Sequence, residues 1–143
     1  MKLALTLLIL LLIAKPAWAH DNCLQYVQLN DELGCSDQGY LINFGYRYCR
    51  RFKDTTQRFS PEGQAFLADV RTCLLHSLRT ERRELRCDSI EGIAMDHHID
   101  CYDQAGFCSL SSQDRWALFT VVWRDLVSPR TVQMAARLNQ ACQ

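Results

Sequence analysis

Apolar residues recur along most of this chain at the three- to four-residue intervals of an α-helix. The clearest case is Gly39–Asp54, where Tyr40, Phe44, Tyr48 and Phe52 recur at intervals of four residues. Residues four apart lie on one side of a helix, so these rings predict a helix with one apolar face.

Two Ser-Pro pairs predict the starts of two more helices. Ser60-Pro61 and Ser128-Pro129 each place an N-cap residue before a proline, which is favoured at the first helical position. The first pair opens a helix that runs to about Arg79, and the second opens the last helix, which ends at Cys142. The inner face of the first helix is predicted to carry Phe66, Val70, Cys73, Leu74 and Leu78.

Three weaker patterns complete the set of helices. They predict a first helix over Asn22–Gly34, another over Glu84–Tyr102, and one that Ser111 or Ser112 caps. Their expected inner faces are, in that order, Leu24, Val27 and Leu29; Cys87, Ile90, Ala94 and Cys101; and Trp116, Phe119, Trp123 and Leu126. Six glycines and three prolines are too few for the many tight turns of a β-sandwich. The sequence therefore predicts an all-α domain of five to six helices.

The first 19 residues are expected to be a signal peptide. They begin with Lys2, continue with the apolar run Leu3–Ala14 and end at Ala17-Trp18-Ala19, which has the small residues of a cleavage site. The run is too short for a membrane span. We therefore expect residues 20–143 to form one secreted domain without a membrane span, extracellular or, in a bacterium, periplasmic.

All eight cysteines lie beyond this leader, at Cys23, Cys35, Cys49, Cys73, Cys87, Cys101, Cys108 and Cys142. An even number in a small exported chain indicates a closed set of disulfides that staple the helices into a compact domain. Three of the spacings are 14 residues, about four helical turns, so two such cysteines on one helix would share a face. The residues alone leave the pairing open, because eight cysteines can pair in many ways.

The charge of the chain argues against a nucleic acid or a membrane surface as partner. Without Lys2 and Lys15, 14 basic residues stand against 16 acidic ones, for a net charge of −2. Two basic groups stand out: Arg47, Arg50, Arg51 and Lys53, and then Arg79, Arg82, Arg83 and Arg86. Either group could bind a sulfated glycan or an acidic partner, but we expect ion pairs, because the second group is interleaved with acids at helical spacing. The expected acidic partners are Asp54, Glu81, Glu84 and Asp88.

The most site-like segment is Asp96-His97-His98-Ile99-Asp100. On a helix Asp96 and Asp100 lie one turn apart, and with His97 they are candidates to hold a cation. We expect a solvated polar helix face instead, with no metal and no cofactor. An enzyme is an alternative, since residues 98–102 resemble, in scrambled order, the His-Asp-x-Cys-Tyr segment of secreted phospholipase A2. The adjacent cysteine pair and glycine-rich calcium loop of that family are absent from the sequence, so we do not expect an enzyme.

Five successive cysteine intervals and one short motif carry a resemblance to a known family. Gly63-Gln64-Ala65-Phe66, a Gly-x-Ala-Phe motif, lies between Cys49 and Cys73 and follows Arg58-Phe59-Ser60-Pro61. The intervals that match the family are Cys49–Cys73, Cys87–Cys101 and Cys101–Cys108, and those that nearly match are Cys73–Cys87 and Cys108–Cys142. With these features the stretch from Tyr48 to Cys142 resembles the stanniocalcins, which are secreted, disulfide-rich, helical glycoprotein hormones.

The resemblance implies a disulfide pairing, Cys73–Cys101 and Cys108–Cys142, together with Cys23–Cys49 and Cys35–Cys87. An additional early bridge of the family is missing from this sequence. The odd cysteine that joins two stanniocalcin chains lies in a C-terminal extension, whereas this chain stops at Gln143. We therefore expect no covalent dimer, but a monomer or a non-covalent oligomer.

The resemblance also implies a function without catalysis. Stanniocalcins act in calcium and phosphate homeostasis and inhibit secreted metalloproteinases of the pappalysin type. We therefore expect a secreted protein that binds a secreted or cell-surface protein, either as a hormone-like signal or as an inhibitor of such a metalloproteinase. The alternatives are a calcium-dependent hydrolase of the phospholipase A2 type and an exported structural domain without hormone function.

Overall fold

The computed structural model describes residues 22–125 and 128–143, and the regular structure within them is helical, without a strand. The α-helices are α1 Leu24–Leu33, α2 Arg47–Asp54, α3 Pro61–Thr80, α4 Ile90–Gln104, α5 Ser112–Val122 and α6 Pro129–Ala141. A π-helical segment, Leu41–Tyr46, leads directly into α2, and short 3₁₀ turns lie at Thr56–Arg58, Phe107–Ser109 and Trp123–Asp125. The predicted all-α domain is confirmed, and the expected signal peptide lies outside the described residues. None of the described helices is both long enough and apolar enough to cross a membrane.

The helix ends follow the local sequence. α1 stops at Gly34, whose φ of 65° lies in the left-handed region that glycine adopts freely. α3 starts at Pro61, and the hydroxyl oxygen of Ser60 accepts a hydrogen bond from the Gly63 N–H at 3.1 Å. α6 starts at Pro129. These three predicted boundaries are therefore confirmed.

The π-helical segment lies against α1. A Cβ at Gly45 would lie 2.6 Å from Cδ1 of Tyr26, so only glycine leaves room for this ring. Tyr26 is buried by the packing, and burial raises the pKa of its hydroxyl. The predicted row of rings is confirmed, since the ring centroids of Tyr40 and Phe44 are 5.4 Å apart and those of Phe44 and Tyr48 are 4.7 Å apart.

Two hydrophobic clusters form the interior. The N-terminal cluster consists of Cys23, Tyr26, Leu29, Leu41, Cys49, Leu75, Leu78, Leu85, Ile90 and Ala94. The C-terminal cluster consists of Tyr48, Phe59, Phe66, Leu67, Val70, Leu74, Cys101, Leu110, Ala117, Leu118 and Val121. Because α3 and α4 contribute residues to both clusters, these two helices join the halves of the domain, and the predicted inner face of α3 is confirmed.

Four disulfides staple the helices: Cys23–Cys49, Cys35–Cys87, Cys73–Cys101 and Cys108–Cys142. This is the pairing that the resemblance implies. Cys73–Cys101 joins the neighbouring helices α3 and α4, and Cys108–Cys142 joins the turn before α5 to the end of α6. All eight cysteines are paired within the chain, a pattern typical of proteins outside the reducing cytosol.

The start of α4 differs from the prediction. The helix begins at Ile90 and not at Glu84, and Cys87 is exposed instead of lying on an inner helix face. Leu85 is buried in the N-terminal cluster, and Cys87 is bonded to Cys35 in the loop after α1. These two attachments hold the segment outside helical geometry. Since neither Cys35 nor Cys87 is in a helix, no 14-residue spacing joins two cysteines of one helix, and the expected shared faces are wrong.

The inward face of α5 also differs from the prediction. Trp116, Phe119 and Trp123, which were expected inside, are 66 %, 45 % and 54 % exposed. The buried residues of α5 are Asp114, Ala117, Leu118 and Val121. The helix is rotated because the carboxylate of Asp114 is bound inside the domain by residues that precede α3 and α5. Leu126 lies outside the described residues.

The inner face of α1 contains a polar residue that the apolar pattern does not predict. Leu24 is 48 % exposed, whereas Leu29 and Asn30 are buried. The Asn30 side-chain amide donates hydrogen bonds to the Cys35 carbonyl oxygen at 3.1 Å and to Oδ1 of Asp37 at 3.2 Å. Asn30 therefore closes the loop that carries the Cys35–Cys87 bridge, and the prediction for Leu24 is wrong.

Candidate functional site

A buried carboxylate joins the starts of α3 and α5. Asp114 is 1 % exposed and accepts hydrogen bonds from the Ser60 N–H at 2.9 Å, the Ser60 hydroxyl at 2.7 Å and the Ser111 hydroxyl at 2.9 Å. Burial raises the pKa of this carboxyl, but the hydrogen bonds outweigh burial and leave its pKa below the usual range. Asp114 is therefore ionised at neutral pH and sets the orientation of α5.

This arrangement explains the glycine of the Gly-x-Ala-Phe motif. A Cβ at Gly63 would lie 2.5 Å from Oδ1 of Asp114, so any larger residue would displace the carboxylate. Phe66, from the same motif, is buried in the C-terminal cluster with its ring centroid 5.3 Å from that of Tyr102. The motif that carries the resemblance therefore has a packing role in this domain.

The main candidate for a ligand site is an apolar cavity of 420 Å³ between α5 and α6. Its other walls come from α4 and from the ring-bearing face of the π-helical segment and α2. The lining is mostly aromatic and aliphatic, and it includes Phe44, Tyr102, Leu118, Val122, Ala135 and Leu138. The volume falls within the range of small-molecule sites, about 300–1,000 Å³.

The wall formed by α6 explains why this space is left open. α6 packs against α4, and the Cys108–Cys142 bridge ties its end to the turn before α5. Two of the residues that α6 turns toward the cavity, Thr131 and Ala135, are small. Their short side chains fill less of this space than leucines would, and Val132, which also lines the cavity, is exposed.

His98 is the one histidine of the described residues that lines this cavity. Its Nδ1 lies 2.6 Å from the Ala94 carbonyl oxygen, so the neutral ring donates through Nδ1 and keeps Nε2 as an acceptor. Burial lowers the pKa of the imidazole, and the hydrogen bond to Ala94 offsets this only in part. The expected solvated face is therefore wrong at His98. Among the described residues no carboxylate pairs with this ring, so the His-Asp pair of a phospholipase A2 does not form here.

The three candidate metal ligands do not converge. Oδ1 of Asp96 accepts a hydrogen bond from Arg137 at 3.1 Å, and Nε2 of His97 lies 3.0 Å from a carboxylate oxygen of Glu81. Asp100 is exposed. Within residues 22–125 and 128–143, no three His, Cys, Asp or Glu side chains are grouped closely enough to hold a metal ion.

The first basic group of the sequence is arranged around an aromatic ring. The guanidinium carbons of Arg47 and Arg51 lie 5.2 and 5.4 Å from the centroid of Tyr48. Arg51 also donates to the Tyr48 hydroxyl at 3.3 Å and to the Val121 carbonyl oxygen at 3.5 Å, and so connects α2 to the end of α5. Lys53 is exposed.

Ion pairs engage several other arginines. Two of the expected pairs form, Arg50–Asp54 at 3.9 Å and Arg86–Asp88 at 3.6 Å. Arg82 pairs instead with Glu32 of α1 at 2.9 Å, and this pair ties the turn after α3 to α1. The prediction that these arginines form ion pairs is therefore confirmed, although tertiary contacts give some of them other partners than expected.

A shallow groove of 280 Å³ lies where α2 meets the end of α5. Arg51, Arg58 and Arg124 line it together with Trp123, and we call it the arginine groove. The guanidinium carbon of Arg124 lies 5.7 Å from the Trp123 ring centroid. In the described part of the chain, no acidic side chain forms an ion pair with these three arginines. The groove is therefore a concentration of positive charge next to an exposed tryptophan.

The exposed rings of α5 continue this surface. The centroids of Trp116 and Phe119 are 5.2 Å apart, and the two ring planes are inclined by 21°, so they stack. Trp123 lies one to two helical turns further along the chain, in the 3₁₀ turn that ends α5. We call Trp116, Phe119 and Trp123 the aromatic face. It adjoins the arginine groove, because Trp123 belongs to both.

The apolar pattern of the sequence does not predict the cavity, although one signal for it is present. His98 and Tyr102 lie four residues apart on α4, and their ring centroids are 5.9 Å apart. This helical pair indicates an aromatic inner face, which differs from the polar face predicted over residues 96–100. That the face borders a cavity depends on where α5 and α6 lie, which the local pattern does not contain.

Comparison with known proteins does not assign a family to this chain. No family model, no curated protein and no solved structure matches it. The function therefore has to be inferred from the aromatic face, the arginine groove and the cavity.

Proposed function

We propose that this chain is a secreted, non-enzymatic binding protein that acts by protein–protein contact through the aromatic face and the arginine groove. The observation that carries the proposal is the exposure of Trp116, Phe119 and Trp123 beside three arginines. Tryptophan and arginine are among the residues most enriched at the energetic centres of protein interfaces.

Exposure of the aromatic face is unfavourable for the isolated chain. Single exposed apolar residues are normal on a protein surface, but a contiguous apolar patch marks an interaction site. Covering a large apolar side chain on binding contributes about 1.5–3 kcal/mol before the costs of association. Trp116 and Trp123 are therefore the side chains from which a partner gains most.

The arginine groove indicates the charge of the partner. A guanidinium binds a carboxylate through two parallel hydrogen bonds, which fix orientation as well as affinity. Arg58 and Arg124 are exposed and line the groove together with Trp123. The surface fits a protein that offers an apolar pocket with aspartate or glutamate at its rim.

The resemblance to the stanniocalcins suggests the class of this partner. It rests on the cysteine intervals and on the Gly-x-Ala-Phe motif, and the disulfide pairing agrees with the one the resemblance implies. We infer that the partner is a secreted metalloproteinase of the pappalysin type, which the chain inhibits. A cell-surface receptor in hormone-like signalling would use the same surface.

The test is binding to a purified pappalysin-type metalloproteinase. Surface plasmon resonance should detect a complex, and the chain should slow cleavage of the protease's protein substrate. Trp123→Ala should weaken binding by about tenfold or more, as expected for a central interface residue. Leu24→Ala is the matched control, because Leu24 is similarly exposed but lies on α1, away from the aromatic face.

Two results would count against the proposal. Absence of a complex at about 10 μM, a concentration at which weak specific interfaces are still occupied, would exclude the metalloproteinase. A complex that Trp123→Ala and Leu24→Ala weaken equally would exclude the aromatic face as the contact surface.

A further inference from the structure

We propose that the cavity between α5 and α6 binds one unbranched fatty acid, with the hydrocarbon chain inside and the carboxylate at Arg115. Of the aromatic face only Phe119 lines the cavity, and Trp116 and Trp123 do not, so this inference can be tested separately from the proposed protein partner through Trp123. It follows from the size, the lining and the single cation of this space.

The size of the cavity indicates a ligand of appreciable length. At 420 Å³ it is nearly three times the volume of an engineered apolar cavity, about 150 Å³, that stays dry and binds benzene. A methylene group is about the size of a water molecule, whose share of the liquid is about 30 Å³, so a chain of roughly ten to fourteen carbons fits.

The lining is mostly apolar and therefore suited to a hydrocarbon chain. Phe44, Leu118, Val122 and Leu138 offer no hydrogen bond from their side chains. His98 is neutral, and its Nδ1–H is already bonded to the Ala94 carbonyl oxygen. Met134, an unbranched and flexible side chain, can adjust to a chain of variable shape.

Arg115 is the one cation among the described residues that line the cavity. Its Nη2 donates to the Cys108 carbonyl oxygen at 2.6 Å, and its guanidinium carbon lies 5.5 Å from the centroid of Phe107. These contacts hold the guanidinium at the cavity while its other N–H groups stay able to bind a carboxylate. A fatty acid is the simple ligand that combines an apolar chain with this anionic head.

The first test measures binding of dodecanoic and tetradecanoic acid to the delipidated secreted protein. Displacement of the fluorescent probe 11-(dansylamino)undecanoic acid should show one site for each acid. Ala135→Phe should weaken both acids by at least about tenfold, because each methylene excluded from the cavity weakens binding by about fourfold. Ala136→Phe is the matched control, since Ala136 is the next residue of α6, is exposed and does not line the cavity.

The second test concerns the head group. Arg115→Gln should weaken dodecanoic acid by about twofold to fivefold, the range of an exposed ion pair, and leave dodecanol unchanged. Arg83→Gln, which alters an exposed arginine outside the cavity lining, should change neither ligand. Equal affinity of the acid and the alcohol for the unaltered protein would overturn the role of Arg115.

The remaining outcomes separate this inference from the proposed function. No displacement of the probe by either acid, or an equal effect of Ala135→Phe and Ala136→Phe, would overturn the cavity as a fatty-acid site. Trp123→Ala should leave fatty-acid affinity unchanged. Loss of metalloproteinase binding in that variant with retained fatty-acid binding would show that the protein contact at Trp123 is separate from the fatty-acid site.

Discussion

The two halves of this domain differ in how completely their hydrophobic clusters are filled. The N-terminal cluster is closed around Leu29, Leu41 and Ile90, which are all buried, and two bridges, Cys23–Cys49 and Cys35–Cys87, hold its helices and loops. The C-terminal cluster borders a cavity of 420 Å³. The comparison indicates that stability is concentrated in the first half and space for a ligand in the second.

The difference arises from how the last helix is attached. α3 and α4 are joined along their length by Cys73–Cys101, whereas α6 packs against α4 and is tied by Cys108–Cys142 only at its end. Two of the residues by which α6 lines the cavity, Thr131 and Ala135, have short side chains. Packing that is loose at one wall leaves a cavity without loosening the core behind it.

Removal of individual bridges should give the largest difference between the two halves. The double variant Cys23→Ala with Cys49→Ala should lose free energy of unfolding near the upper end of about 2–5 kcal/mol, because both sulfurs are buried in the N-terminal cluster. The double variant Cys108→Ala with Cys142→Ala should lose free energy of unfolding near the lower end of this range, since Cys108 is exposed. Urea denaturation measures both, and an equal loss would contradict the comparison.

Truncation of one leucine in each cluster tests the packing itself. Leu78→Ala should cost about 4–5 kcal/mol of unfolding free energy, because it opens a new cavity in a filled region. Leu118→Ala should cost about 2–3 kcal/mol, since its side chain already borders a cavity. If the Leu118 variant were the less stable of the two, the C-terminal cluster would be the better packed half.

Asp114→Asn should disrupt the C-terminal half selectively. The amide cannot accept hydrogen bonds from Ser60 and Ser111 as a carboxylate does, so the expected cost is about 2–4 kcal/mol at pH 7. In the native chain the pKa of Asp114 is lowered, so its contribution is present above the unfolded pKa, about 3.9, and is lost as the pH falls through the folded value. Urea midpoints from pH 7 to pH 3 should fall more steeply for the native chain than for the variant.

His98 provides a smaller effect in a different pH window. Burial lowers the pKa of His98 in the folded state, so the unfolded chain binds a proton first as the pH falls. The contribution of neutral His98 to stability is therefore fully present above the unfolded pKa of about 6.5. It is lost as the pH falls from there through the folded pKa. His98→Gln should flatten thermal stability between pH 7 and pH 5, whereas His76→Gln, at an exposed position, should keep the native slope.

The smallest effect is expected at the aromatic face. Trp116→Ser should change the free energy of unfolding by no more than about 0.5 kcal/mol, because a residue that is 66 % exposed adds little to the core. If Trp116 lay on the buried face of α5, as the sequence pattern predicts, its truncation would instead cost about 3–5 kcal/mol of unfolding free energy. Thermal unfolding of this single variant decides between the two orientations of α5.

The sequence by itself determined the helical class and several helix ends. Gly34, Ser60-Pro61 and Ser128-Pro129 act on the residues next to them, so the ends of α1, α3 and α6 could be predicted from local chemistry. The inner face of α3 could also be predicted, since its apolar residues recur with the helical period from Phe66 to Leu78, over about three turns. The disulfide pairing was implied by the resemblance and not by the residues alone.

Only the tertiary structure decided which face of α5 turns inward and where the candidate sites lie. Asp114 reaches Ser60 across 54 residues of sequence, and this contact rotates Trp116 and Trp123 to the surface. Burial of His98 and the cavity beside it depend on α6, which is held in place by a bridge spanning 34 residues. Local periodicity records which residues share a helix face, but the direction of that face is set by contacts between residues far apart in the chain.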